Sequence, residues 1–210
     1  LSHQSKKNKK LQKEEQHMST QEISLTRTVN ARLVPPAGTF EIDPIHTFVT
    51  FRAQHLVVGR VHGRFEGVTG TITIAEDFLD SHTEIAINAD SITTLMPIRD
   101  EDLRSDNYLD VTKYPYLTFT SNKVTELPSG EWILSGDLTI KDVTRPTELL
   151  VTFGGAIPDP FGNLRVGFHA TTTISRRDYG LTTMLEGNGG HLFVARDVAI
   201  EIDVEAVHPL

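Results

Sequence analysis

The sequence contains no cysteine. That excludes a disulfide framework, thiolate chemistry and any zinc site built on sulfur. No apolar run reaches the length of a membrane-spanning helix. Basic charge is also short: the formal net charge is −8, which argues against nucleic acid as a partner, because a phosphate binder needs a basic face. The usual catalytic signatures are missing too. There is no G-x-S-x-G elbow, no P-loop and no dinucleotide glycine fingerprint. Gly187–Asn188–Gly189–Gly190 reads as a flexible turn, since no helical pattern follows it. Carboxylates are plentiful, but none is paired with another in apolar surroundings.

What is present is an ordinary soluble composition, 38% hydrophobic and 23% charged over 210 residues, enough for one large β domain or two small ones. Residues 1–17 differ from the rest, with five lysines against two glutamates and no apolar h-region. They read as an added or disordered leader rather than a signal peptide. A start at Met18 implies a cytoplasmic protein. Residues 18–38 form an N-terminal leader segment, closed by Pro35–Pro36–Ala37–Gly38. The main domain is expected over 39–210.

From Thr39 onward the chain alternates with a period of two, the signature of half-buried strands. Val49, Phe51 and Ala53 share one face, as do Ile72 and Ile74, and Ile85 and Ile87. Leu117 and Phe119, Leu138 and Ile140, and Val151 and Phe153 repeat the pattern. Val166, Phe168 and Ala170 continue it, and Ile200 and Ile202 end it opposite Glu201 and Asp203. Gly59, Gly63, Gly67 and Gly70 mark bulges or sharp coiling, the devices that close a sheet. About eight long strands without crossover helices predict an all-β, closed antiparallel barrel.

One stretch breaks the pattern. Between Ser91 and Phe119, Pro97 suits a first helical turn, and Asp100 and Arg104 have the spacing of a surface ion pair. Leu103 is the apolar residue facing inward. A short helical insert near 97–107 is expected, as a cap on a barrel mouth or as a surface crossover. Tyr114–Pro115–Tyr116 ends it.

Several motifs resemble the YceI-like family. They include Phe40–Glu41–Ile42–Asp43–Pro44–Ile45–His46, Gly63–Arg64–Phe65, Arg99–Asp100, Leu103–Arg104–Ser105 and Asn107–Tyr108–Leu109–Asp110. Further along come Gly136–Asp137–Leu138–Thr139–Ile140, Arg176 and Asp178–Tyr179–Gly180–Leu181. The resemblance covers roughly residues 39–207. The pattern departs at Asp102, at Lys141–Asp142 and at Thr182–Met184, and the glycine-rich Leu185–Val194 stretch resembles a loop or lip. The resemblance implies an extended, lipocalin-like eight-stranded barrel. Its expected ligand is a polyisoprenoid, a prenyl quinone or prenyl amphiphile, stored or carried without catalysis in an apolar tunnel and without a separate cofactor. The tunnel candidates are Val49, Phe51, Ile72, Ile85, Ile87, Leu117, Phe119, Leu138, Ile140, Val151, Phe153, Val166, Phe168, Ile200 and Ile202. Taken singly, each is better explained as packed core; the ligand reading is collective, since not all of them can fill a barrel of long strands.

Arg99, Arg104 and Arg176, with Arg177 beside it, are the candidates to meet a polar head group, because guanidinium suits phosphate and carbonyl oxygen. Taken singly, each is better explained by surface or inter-strand ion pairing with Asp100, Asp106, Asp110 or Asp178. His46, His55, His62, His169 and His191 lack the spacing of a metal motif, and no metal is expected. Two other functions stay open: an enzyme acting on a small apolar substrate at the mouth, and a structural or stress-linked interaction protein with a filled barrel. A homodimer and a peripheral membrane contact for ligand exchange are compatible with the sequence, which argues for neither.

Overall fold

The architecture is that of a computed structural model describing residues 25–56, 58–184 and 193–210. The residues 1–17 leader, Gly187–Gly190 and His191 lie outside the described residues. The strands are β1 (Arg27–Val29), β2 (Arg32–Val34), β3 (Gly38–Ile42), β4 (Phe48–His55), β5 (Gly59–Phe65), β6 (Val68–Ile74) and β7 (His82–Asn88). They continue with β8 (Ile92–Thr93), β9 (Tyr116–Glu126), β10 (Trp132–Ile140), β11 (Val143–Pro158), β12 (Asn163–Ser175) and β13 (Val194–Pro209). A helix, α1 (Pro97–Arg104), separates β8 from β9.

Every pairing is antiparallel. The circuit β3, β6, β7, β9, β10, β11, β12, β13 closes when β13 pairs back onto β3 at Ala206↔Ile42 and Val207↔Glu41. This is the eight-stranded barrel expected from the alternating pattern. Alternation explains the core directly. Along β9, Leu117, Phe119, Ser121 and Val124 are buried while Thr118 and Thr120 face out.

One feature was not legible in the sequence. β3 and β4 both lie along β13, β3 near its end and β4 from Val194 to Asp203. They behave as one long strand broken at residues 43–47. β5 pairs β4, and β8 pairs β5 at Arg64↔Thr93 and Phe65↔Ile92. The result is a three-stranded flap growing off the barrel wall. Thr47 holds the break: its hydroxyl donates to the Glu205 carbonyl and accepts from the Glu205 N–H, both at 3.2 Å. The fully buried position of Thr47 makes that pairing necessary, since a buried hydroxyl without a partner is costly.

Caps close both ends. The β1–β2 hairpin buries Val34 and is tied down by arginines. Arg27 donates to the carbonyls of Pro35, Ala75 and Glu76, and Arg32 to the Glu126 carboxylate at 3.2 Å and the Pro128 carbonyl at 3.1 Å. At the other end, α1 and the loop after it place Leu103 and Leu109 against the core. Asp100 corrects the sequence reading. It is buried, not one half of a solvated pair, and accepts from the Thr94 N–H at 2.8 Å and the Thr94 and Thr93 hydroxyls. Burial pushes its carboxyl up, but those hydrogen bonds and nearby Arg104 outweigh it and hold the group below its ordinary value. A helical spacing rule cannot see this, because the partners lie on the strand before the helix.

Gly136 shows how tightly the wall is built. The β9–β10 register shifts at Ser135/Gly136. A Cβ at Gly136 would lie 2.5 Å from the Thr120 carbonyl oxygen and 2.8 Å from the Ser121 Cα. Backbone cannot step aside as a side-chain end can. Gly136→Ala is therefore expected to cost about 2 kcal/mol, a drop of roughly 4–8 °C in thermal midpoint. Thermal melts followed by circular dichroism measure it.

Candidate functional site: an apolar cavity in the barrel

Inward side chains do not fill the barrel completely. They leave a cavity of about 170 Å³ whose wall is almost wholly apolar. Val49, Ile72, Ile85, Ile87, Leu117, Phe119, Leu138, Ile140, Val151, Phe168, Ile200 and Ile202 all line it. Phe51, Phe153 and Val166 do not, each for a local reason. Phe51 stands opposite Gly63 in the β4–β5 register, and its ring lies where a Gly63 Cβ would be, tilted against Phe65 with centroids 5.8 Å apart. Phe153 rests on the Phe168 ring at 5.4 Å, next to the β11 bulge. Val166 is fully buried beside Ala206 and is used up in packing.

Sequence reasoning missed part of the wall. Phe65, Leu134, Leu149 and Ala170 line it, and each continues an alternation already visible in its strand. Phe78 and Trp132 also line it, their rings 5.1 Å apart. Phe78 sits in a 3-10 turn, Phe78–Asp80, where no strand period points to it. Ser81, His82 and Thr83 give this end a polar rim.

Toward the β10–β11 side, Thr147 lines the cavity and lies 3.3 Å from the Tyr179 hydroxyl. Burial pushes the Tyr179 phenol up. Tyr179 and Arg176 share the 3-10 turn Arg176–Tyr179 that follows β12. Arg176 is buried. Its Nη2 donates to the Thr183 carbonyl at 2.6 Å, while its buried Nε finds no partner among the described residues. The other guanidinium candidates are committed elsewhere. Arg104 donates to the carbonyls of Asp90 at 2.7 Å and Ile92 at 2.5 Å and pairs with the Asp90 carboxylate. Arg99 donates to the Thr94 hydroxyl at 2.7 Å and carbonyl at 3.2 Å, and faces a trough outside the barrel. The structure does not bring the three together in the cavity.

Residues 40–206 match the YceI-like domain family. The chain belongs to the YceI-like family. Protein YceI of Shigella flexneri is 36% identical over 174 residues, covering 81% of this chain and 87% of that protein. A solved Campylobacter jejuni YceI protein superposes with a TM-score of 0.62 at 25% identity, over 75% of this chain and 90% of that one. A polyisoprenoid binding domain from Saccharophagus degradans shares the fold at a TM-score of 0.59 and 16% identity, covering 83% and 100% of the two chains.

This YceI-like barrel also gathers charge at the break between β3 and β4. Asp43, His46 and Glu205 present ligand-type atoms within 4.8 Å of one another. Arg165 already meets their charge: its Nη1 lies 2.6 Å from Asp43 and 2.7 Å from Glu205, and its Nη2 lies 3.4 Å from Asp159. The cluster fixes the strand break rather than offering an open cation site. The remaining histidines are dispersed. His169 contacts Asp203 at 2.9 Å on the outer surface, and His55 and His62 are exposed on the flap.

Partial burial pushes the Asp43 carboxyl up, but hydrogen bonds from His46, Arg165 and the Ile45 N–H bring it down from 3.8 to about 2. A depressed carboxyl stabilises the fold at pH above its ordinary value, and that contribution disappears as pH falls through the folded value. The stability difference between wild type and Asp43→Asn should therefore be constant above pH 4 and shrink between about 4 and 2. Thermal midpoints across that range test it.

Proposed function

We propose that the protein binds a polyisoprenoid, a prenyl quinone or a prenyl amphiphile, inside the barrel and stores or carries it without catalysis. The apolar cavity is the observation that carries this reading. Among the described residues its polar side chains are Ser81, His82, Thr83, Thr147 and Thr172, with the Trp132 indole, and no described carboxylate, lysine or arginine lines it. Such a wall recognises hydrocarbon and offers little to acid–base chemistry. The description of the Saccharophagus degradans domain as polyisoprenoid binding supports the same ligand class.

Size sets the terms of binding. An apolar cavity of about 150 Å³ holds a benzene-sized guest, so 170 Å³ corresponds to roughly one or two five-carbon units. Each such unit is worth at most about 4 kcal/mol when buried, at ~0.8 kcal/mol per carbon, less the cost of ordering it. A longer chain requires the wall to part. The branched aliphatic side chains that dominate it can do so by changing rotamer, whereas Phe78 and Trp132 close one end as a rigid pair. Toward Thr147, Tyr179 and the buried Nε of Arg176, without a partner among the described residues, are the groups that would meet a quinone oxygen or a phosphate.

The test is direct. Protein purified without detergent is offered prenyl quinones of increasing chain length and analysed by native mass spectrometry. Retention of a prenylated species is expected, and Ala170→Leu, which narrows the cavity, should weaken it about tenfold while the protein stays folded. Failure to retain any prenylated species at any chain length would overturn the reading.

A further inference from the structure

Several apolar side chains at one end of the molecule are left highly exposed. Val58, at the turn between β4 and β5, is 90% exposed. Leu95 and Ile98, between β8 and the first turn of α1, are 86% and 82% exposed, and Met96 between them is half exposed. Pairing places these two turns side by side. β4 and β5 pair from Val49↔Phe65 out to His55↔Gly59, and β8 joins β5 at Arg64↔Thr93. The chain leaving β8 therefore runs beside β5 toward the hairpin tip.

A basic surface adjoins these apolar turns. On the outer face of the flap Arg52 stands opposite His62, and Thr50 opposite Arg64. Arg52, Arg60, His62 and Arg64 line a trough of about 950 Å³ together with Leu95 and Arg99. Among the described residues, Glu201 is the one acid on its wall. Arg64 pairs with Glu66 at 2.5 Å, but Arg52 and Arg60 form no salt bridge among the described residues. In a chain of net charge −8 this is a local reversal of sign. The far end of β13 provides the contrast. Ile45 and Phe161 are 74% and 84% exposed there, but their neighbours are Asp43, Asp159 and Glu205 gathered on Arg165. Exposed apolar groups occur at both ends, and among the described residues this end is the one that joins them to arginines without a salt bridge.

We propose that the β4–β5 tip, the β8–α1 turn and the basic trough beside them dock on an anionic lipid bilayer. The exposed apolar side chains enter the acyl boundary, and the guanidinium groups of Arg52 and Arg60 meet headgroup phosphates. The purpose of docking rests on the carrier reading, since α1, which caps the barrel, begins at Pro97, within this surface. Docking itself is measured without any isoprenoid.

The experiment is cosedimentation of the full chain with vesicles of phosphatidylcholine alone or mixed with phosphatidylglycerol. Binding to the anionic vesicles is expected to exceed binding to the neutral ones by about tenfold and to fall with added salt. Val58→Asp with Ile98→Asp, and separately Arg52→Glu with Arg60→Glu, should each weaken it by about tenfold. Ile45→Asp with Phe161→Asp should leave it unchanged. All of these positions apart from the arginines' contact with the trough are highly exposed, so thermal midpoints should stay at the wild-type value. A wild-type chain left in the supernatant with anionic vesicles at low salt would overturn the proposal. So would loss of binding from the Ile45/Phe161 pair alone, or self-association through Val58 and Ile98 without vesicle binding, which would assign this face to a second copy of the chain. The carrier reading is scored separately: a chain that docks but takes up no prenyl quinone keeps the docking surface and loses the cargo. A Val58/Ile98 variant that takes up prenyl quinone from solution but not from vesicles supports both.

Discussion

The backbone hydrogen bonds along β13 hold this structure together. β13 pairs β12 over its length from Asp197 to Pro209, and on its other edge it takes β3 and then β4. Without that double pairing the sheet has two open edges, and its inner face would be exposed to water along a seam. Closure removes those edges and creates an interior walled by apolar side chains. The apolar cavity is a consequence of closure: the strands set a circumference, and the inward side chains fall slightly short of filling it.

The charged cluster around Arg165 serves the same end. A strand that must pair twice along β13 has to break between the two registers, and the break exposes backbone and brings Asp43 toward Glu205. Two carboxylates placed so closely would repel. Arg165 lies between them and Asp159, and Thr47 satisfies the backbone of Glu205 on both sides. Asp100 does comparable work for the cap, gathering the Thr93 and Thr94 donors so that α1 is held to β8.

The two kinds of surface in the molecule also divide its work. Inside, the wall is aliphatic and aromatic, with polarity confined to the ends. Outside, the flap formed by β4, β5 and β8 carries exposed apolar turns and two arginines, Arg52 and Arg60, without a salt bridge among the described residues. Under the proposed carrier reading, the first would hold an apolar cargo and the second would serve its exchange, because a prenyl chain has negligible concentration in water and must come from a membrane or another carrier.

Much of the barrel was legible in the sequence. A period of two is a direct statement about which side chains face inward, so Leu117, Phe119, Leu138, Ile140, Ile200 and Ile202 could be assigned to the interior without coordinates. The helical insert was legible from Pro97 and the loss of alternation. Other features depended on contacts distant in the chain. That Phe51 packs over Gly63 follows from strand register, which no local pattern specifies. Asp100 has the right spacing to pair with Arg104 and yet turns to Thr93 and Thr94. Arg165 meets Asp43 across 122 positions, and Phe78 meets Trp132 from a turn. By itself the sequence determined the strand type, the inward faces and the family, because these are written in neighbouring residues. Only the tertiary structure decided which inward residues touch the cavity, which arginines remain unpaired and where the apolar turns meet the basic face, because register and closure bring together residues that have no relation along the chain.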